Sequence, residues 1–201
     1  RPDLKLSAPK KPAAEPEGMV PVSVVSGPPL RPVYLVDRLL QLFVTTLLWG
    51  PDGCGKTQLA IAIAAFGAVA NAVFPGLTKA KTFRTLFIAS EDADNIILRV
   101  QAQAAHYGRT MGPDAKAAVE RNVRVLNVKK LPDGLKIDKP SGFELLDSCL
   151  KFYEDEKEPF DALMMDSVSY LMSPAGPDIT VGPSDAYANA EKLAGKYRLA
   201  V

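Results

Sequence analysis

Histidine occurs once in the 201 residues, tryptophan once and cysteine twice. Nothing around His106 suggests a catalytic triad. It sits toward the end of an expected helix, close to Gly108, and reads as a helix-terminal residue. Cys54 and Cys149 lie far apart and show no metal-ligand spacing, which excludes a disulfide framework and a zinc site from the expectations. A dominant charge is also missing. A net charge of +1 gives no global field that would draw the chain to nucleic acid or to an anionic membrane, so any such binding must come from a local patch. Finally, the longest apolar stretch, Leu59 to Phe74, is interrupted by Gly67 and Asn71 and falls short of the roughly 20 residues of a spanning helix. It is expected to be a buried helix. The first thirty residues lack the basic-then-apolar order of a signal peptide. A cytoplasmic protein without membrane partners fits these absences, and an initial Arg in place of Met fits a fragment.

What the chain does contain is organised in two parts. From Arg1 to Arg31, Pro recurs with Lys, Ala, Glu, Ser and Gly, a composition that cannot bury enough apolar surface to order itself. Residues 1–31 are therefore expected to be a linker or disordered arm, with a further domain upstream as one reading. From Pro32, short apolar runs alternate with helical segments, the pattern of βαβ units around a mostly parallel sheet. Expected strands are Val44–Trp49, Thr85–Ala89, Val123–Val128 and Asp161–Asp166, with Leu199–Val201 as the start of a fifth. Expected helices run from Lys56 to about Ala70, through Ile96, Ile97, Val100 and Ala104, from a capping box at Ser141 and Glu144, and from a Ser184 cap to about Lys196. The Pro- and Gly-rich stretch from Ser173 to Pro183 is expected to be a loop.

Between the first strand and first helix stands Gly50-Pro51-Asp52-Gly53-Cys54-Gly55-Lys56-Thr57, which matches G-x-x-x-x-G-K-[ST] in the strand–loop–helix context that makes the motif specific. Gly53 and Gly55 allow backbone conformations other residues resist, so that consecutive N–H groups can turn inward around phosphates at a helix N-terminus. Lys56 is expected on the β- and γ-phosphates of ATP, and Thr57 on a magnesium ion, with Gln58 completing the segment. Asp166 closes an apolar run and so is expected at the carboxyl edge of the sheet, where open α/β folds bind ligands, as a second magnesium-side group. Glu91 ends another apolar run and is the candidate to polarise an attacking water; Asp92 competes with it, and both could instead serve only to start the next helix. Cys149 reads as inert packing. Cys54 differs, because thiols at helix N-termini can be activated.

The order of these features resembles the RecA-like P-loop ATPases, in particular the branch of RepA-type hexameric helicases and KaiC-like proteins. Leu35–Leu40 followed by Val44–Gly50 looks like that family's entry segment and first strand. Leu86–Asp92 looks like its second strand with the catalytic glutamate, and Leu163–Val168 like its Walker B strand. The resemblance implies a RecA-like α/β core over 32–201, Mg-ATP hydrolysis with Glu91 activating water and Asp166 supporting magnesium, assembly as a homo-oligomer or hexameric ring, and action on DNA as a replicative helicase or related protein. It also makes Ser173 to Pro183 the loop that faces the central channel. That loop carries Asp178, with Asp185 just beyond, and no Lys or Arg, which argues against nucleic-acid contact there.

By the same resemblance the chain stops before the sensor and trans-acting finger segments, so slow, oligomer-dependent turnover is expected of it. Two other classes share the phosphate loop. One is a recombination or regulatory ATPase that uses the nucleotide as a switch. The other is a small-molecule kinase, although the close pair Arg121 and Arg124 flanks a strand and does not form a lid.

Overall fold

Thr85–Ala89 is buried at all of its five positions, because its sequence of β-formers lies between two parallel neighbours with helices on both faces. The computed structural model describes residues 32–131, 134–167, 171 and 183–201. Its elements are β1 (Tyr34–Val36), β2 (Leu40–Gln41), α1 (Lys56–Ala68), β3 (Thr85–Ala89), α2 (Ala93–Met111), α3 (Pro113–Asn122), β4 (Val123–Asn127), a 3-10 turn (Val128–Lys130), α4 (Pro140–Asp155), β5 (Ala162–Asp166) and α5 (Pro183–Tyr197). Strands β1 and β2 form a small antiparallel pair. The central sheet has the order β4-β3-β5, all parallel, and is continued past β5 by a parallel bridge from Ala162 to Ala200. The result is a mixed α/β fold of the RecA-like nucleoside-triphosphatase type, with Pro32–Val201 as one compact unit. The expected arm over 1–31 and most of the expected loop after Ser173 lie outside the described residues.

Alternation along β3 sends its side chains to two cores. Phe87 and Ala89 join Ile61, Ala64, Ile96, Val100 and Val119 from α1, α2 and α3 on one face. On the other, Leu86 and Ile88 meet Leu146 and Leu150 of α4 and Ala190 and Leu193 of α5. A third cluster seats β1 and β2 against Ile63, Phe66 and Phe83. Helix α1 is buried over much of its length, from Ile61 to Ala68, as its apolar sequence requires. Its Gly67 leaves room for the Phe83 ring, which occupies the volume that a Cβ would need. The helix stops at Ala68, where Lys79 donates to the carbonyls of Phe66 and Val69 and stands 4.3 Å from the Phe66 ring centroid. That cation satisfies carbonyls with no partner inside the helix and opposes the negative end of its dipole.

Several boundaries differ from expectation. Val44–Trp49 is not a regular strand. Among the described residues its backbone bonds to the last residues are Val201 N to Val44 O and Thr46 N to Val201 O, with Phe43 N to Leu199 O just before it, while Leu47, Leu48 and Trp49 stay exposed. Two such bonds hold the start of the segment extended without making it a strand. Helix α3 was not anticipated; Gly112 ends α2 with φ 98° and donates to Gly108 O, and Pro113 opens the next helix with its preset φ. The capping box at Ser141 does not form, because Pro140 already occupies the first turn and Lys139 is the residue at the cap, with no side-chain cap bond. Helix α5 begins at Pro183, one position ahead of the expected Ser184 cap.

Helices α4 and α5 are pinned by Asp147, which accepts from Lys196 Nζ at 2.6 and 2.8 Å and from the Tyr197 hydroxyl at 2.9 Å. The Lys196 hydrogen bond, aided by that of Tyr197, holds the Asp147 carboxyl below the usual aspartate range against the opposing effect of burial. A carboxyl with a folded pKa below its unfolded value contributes stability above the ordinary aspartate pKa, and that contribution is lost as pH falls through the folded value. Solvent screening keeps the effect small, since Lys196 is half exposed. Asp147→Asn is therefore expected to lower the melting temperature by a few degrees at pH 7 and by progressively less as pH falls below the ordinary aspartate range, a trend that thermal melts at descending pH will read.

Candidate functional site

Helix α1 starts without a side-chain cap. Its N-cap is Gly55, at φ 90°, and no acidic residue stands in the first turn, so the N–H groups there have no built-in anionic partner. The only turn bond in the loop runs from Cys54 N to Pro51 O at 3.4 Å, and the first helical bond from Leu59 N to Gly55 O at 2.9 Å. Gly53, at φ 75°, shares the left-handed conformation that glycine adopts without strain. Gly50 is needed for a different reason: a Cβ there would come within 2.9 Å of Cys54 Sγ. Pro51, Asp52, Gly53, Cys54, Gly55 and Gln58 are all exposed, so the loop's concave backbone faces solvent. An apolar cavity of about 310 Å³ lies behind it, lined among others by Thr45, Leu48, Ile63, Met165 and Val201 and bordered by Lys56, Thr57 and Asp166.

Lys56 folds back over this loop. Its ammonium donates to the carbonyls of Gly50 and Pro51, both at 2.8 Å, with Cys54 Sγ at 4.0 Å. A cation held only by neutral carbonyls is available to a stronger, anionic acceptor. Next to it, the Thr57 hydroxyl donates to Asp166 Oδ2 at 2.6 Å. These residues are 109 positions apart, and their meeting is the geometric core of the site. It depends on the sheet order: Leu199–Val201 lies between β5 and the Val44–Thr46 segment, and α1 brings Thr57 over to the end of β5. One hydroxyl and one carboxylate, both half-buried, form an all-oxygen donor pair suited to a small hard divalent cation.

The sheet register places Glu91 on the same edge. Ala89 is paired with Asp166, so the residues after Ala89 continue beyond the strand end that carries Asp166. Ser90 fastens this junction: its N–H and its hydroxyl each donate to Asp166 O at 2.9 Å, and its Oγ accepts from Ser167 N at 2.8 Å. Ser90 is buried and was missed in the sequence, where its only signal is a small polar residue between an apolar strand and Glu91. Glu91 itself is exposed and has no hydrogen-bond or ion-pair partner among the described residues. Asp92 is engaged locally, without a side-chain cap bond to the helix. It is the N-cap of α2, its carbonyl accepts from Ile96 N at 3.1 Å and its carboxylate from Asn95 Nδ2 at 2.8 Å.

The remaining reactive side chains lie away from this edge. His106 is exposed on α2, its ring 5.7 Å from that of Tyr107. Cys149 packs against the α4–α5 core, where burial pushes its thiol pKa up, as inert packing requires. Among the described residues no group of three or more His, Cys, Asp or Glu side chains is arranged as a ready-made metal cage, so an ion would have to share its coordination with a ligand or water. Nor, among those residues, is any helix long and apolar enough to cross a membrane.

A family model described as an AAA domain matches residues 10–199, nearly the whole chain. Comparison with curated proteins gives no match. A glycine-rich loop at the start of α1, a threonine hydrogen-bonded to the carboxylate that ends β5 and a parallel core sheet accompany that match. The chain belongs to the AAA-domain family of P-loop nucleoside triphosphatases.

Proposed function

We propose that the chain is the Mg-ATP-hydrolysing core of a RecA-like motor that acts on DNA, of the kind found in RepA-type hexameric helicases and KaiC-like proteins. The observation that carries this reading is the 2.6 Å bond from Thr57 to Asp166, which joins the phosphate-loop helix to the carboxylate at the end of β5. In the working site the backbone N–H groups of 52–57 hold the phosphates, and Lys56 exchanges the carbonyls of Gly50 and Pro51 for β- and γ-phosphate oxygens. Thr57 and Asp166 are the oxygen groups that would hold a magnesium ion, which would supply charge neutralisation on the phosphates. Glu91 accepts a hydrogen bond from the attacking water and takes its proton as the bond to the γ-phosphorus forms and that to the leaving oxygen breaks. Ser90 keeps Glu91 in register with Asp166. The DNA substrate and the assembly into a ring rest on family likeness alone.

Titration calorimetry tests the reading directly. Mg·ATP is expected to bind the wild type, and Lys56→Ala to weaken it by about ten- to a hundredfold, the worth of a charge-assisted phosphate contact. Absence of uptake by folded protein would sink the proposal.

Glu91→Gln separates binding from chemistry. It is expected to leave Mg·ATP affinity within about threefold and to cut phosphate release by about 10² to 10⁴, the usual range for loss of a general base. An equal fall for Asp92→Asn with Glu91→Gln unaffected would exchange their roles. Trp49, which is 86% exposed and directly precedes Gly50, is the chain's single tryptophan and offers a fluorescence readout for these titrations.

Alkylation of Cys54 should block nucleotide uptake, because its thiol already lies near the Lys56 ammonium and against Gly50, and an added group fills the loop. Stoichiometric modification by iodoacetamide with unchanged Mg·ATP affinity would show that the loop's cavity lies elsewhere.

A further inference from the structure

The segment from Lys129 to Lys139 holds four lysines against two aspartates in a chain that is otherwise near neutrality. Asn127, the last residue of β4, accepts from Lys129 N at 3.1 Å and so starts the 3-10 turn that turns Lys129 and Lys130 out at the carboxyl edge of the sheet. Further turns follow, with Gly134 N donating to Leu131 O and Lys139 N to Lys136 O, so that the segment folds locally and does not run on. Lys129, Lys130 and Lys139 are exposed and have no carboxylate partner among the described residues. Lys139 also stands at the cap of α4, whose first turn contains no acidic residue to offset it. Most other exposed lysines of the sheet's flanks are spent on ion pairs, as Lys116 is with Glu120 and Lys151 with Asp155.

This segment touches the nucleotide edge. Ala89 of β3 pairs with Asn127 on one side and Asp166 on the other, so the lysine turn and the Thr57–Asp166 pair share one rim of the sheet. Ile137 N donates to Leu171 O at 2.8 Å, in the stretch that follows β5, and the Ile137 side chain lines the cavity bordered by Thr57 and Asp166. Asn189 of α5 donates to Ile137 O at 2.7 Å and holds the segment from the other side.

We propose that Lys129, Lys130 and Lys139 form a docking surface for the phosphate backbone of single-stranded nucleic acid. The proposal rests on the reading of the chain as a motor acting on DNA. Lysines act on phosphates as point charges without base preference, which suits a sequence-independent track. An anionic membrane is the other extended polyanion, but surface-bound segments pair their lysines with apolar side chains that insert. No large apolar side chain is exposed among the described residues of 128–139.

The test uses fluorescence anisotropy with a labelled oligothymidylate of about 30 nucleotides, long enough for several site sizes. Each phosphate contact on a single strand contributes about 0.7 to the slope of log affinity against log salt. The triple variant Lys129→Gln, Lys130→Gln, Lys139→Gln is expected to lose at least about tenfold in affinity at low salt and about 2 in that slope, while Mg·ATP affinity measured on the same sample stays at the wild-type value. The single variants Lys129→Gln and Lys139→Gln are expected to lose about 0.7 each, so the proposal stays open to test even if the triple variant folds poorly. A control that removes the same charge elsewhere, Lys116→Gln, Arg121→Gln, Lys157→Gln, should bind as the wild type does. Unchanged oligonucleotide binding and slope in the patch variants would overturn the proposal. So would an equal loss in the control, or wild-type binding to phosphatidylserine vesicles in place of the oligonucleotide. The Mg·ATP titration reports on the motor reading separately: a wild type that holds the oligonucleotide through these lysines but takes up no nucleotide removes the motor and keeps the docking surface.

Discussion

The hydrogen bond between Thr57 and Asp166 is the contact through which the rest of the structure becomes a site. Each partner is fixed by a different constraint. Thr57 is held by the start of α1, whose buried length from Ile61 to Ala68 locks it onto the sheet and whose far end is closed by Lys79. Asp166 is held by β5, which hydrogen-bonds along its length to the wholly buried β3. A short charge-assisted bond between two half-buried groups is oriented by these elements and does little to orient them. The Thr57–Asp166 pair is thus as rigid as the packing behind it.

Around that bond the charges are arranged in opposition. Lys56 is parked on neutral carbonyls, the α1 N-terminus has no acid in its first turn, and Asp166 and Glu91 supply the negative side from the facing strand ends. An anion entering the loop gains the helix N–H groups and the ammonium together, while a cation entering with it gains oxygen ligands. Glu91 and Asp92 differ in their surroundings: the Asp92 carboxylate accepts from Asn95 Nδ2, whereas Glu91 has no hydrogen-bond partner among the described residues.

Much of the architecture was legible before any coordinates. Thr85–Ala89 reads as a buried strand because parallel strands covered on both faces are apolar throughout, and it occupies those same residues. Lys56 as the start of a long apolar helix, Ala162–Asp166 as a strand ending in a carboxylate, and Cys149 as core were equally readable, since periodicity and burial decide them. The misses came where local signals competed. Ser141 and Glu144 spell a capping box, yet Pro140 enters the helix first because its fixed φ is already helical. Gly112-Pro113 marked a helix break and restart that was passed over, and α3 with it. Val44–Trp49 has strand composition, but a strand needs a ladder, and only its first residues find partners in Leu199–Val201.

By itself the sequence determined the phosphate loop, the glycines that let it turn, the hydrophobic alternation that makes a parallel α/β core, and the identity of the carboxylates available to it, because each of these is set by neighbours a few residues away. Which of those groups meet was decided only by tertiary structure. Strand order and register bring Thr57 to Asp166, set Ser90 against the end of β5, and put the turn with Lys129 and Lys130 at the same rim. Contacts across 109 positions or 76 positions are fixed by how the sheet is wound, and no local propensity encodes a winding order.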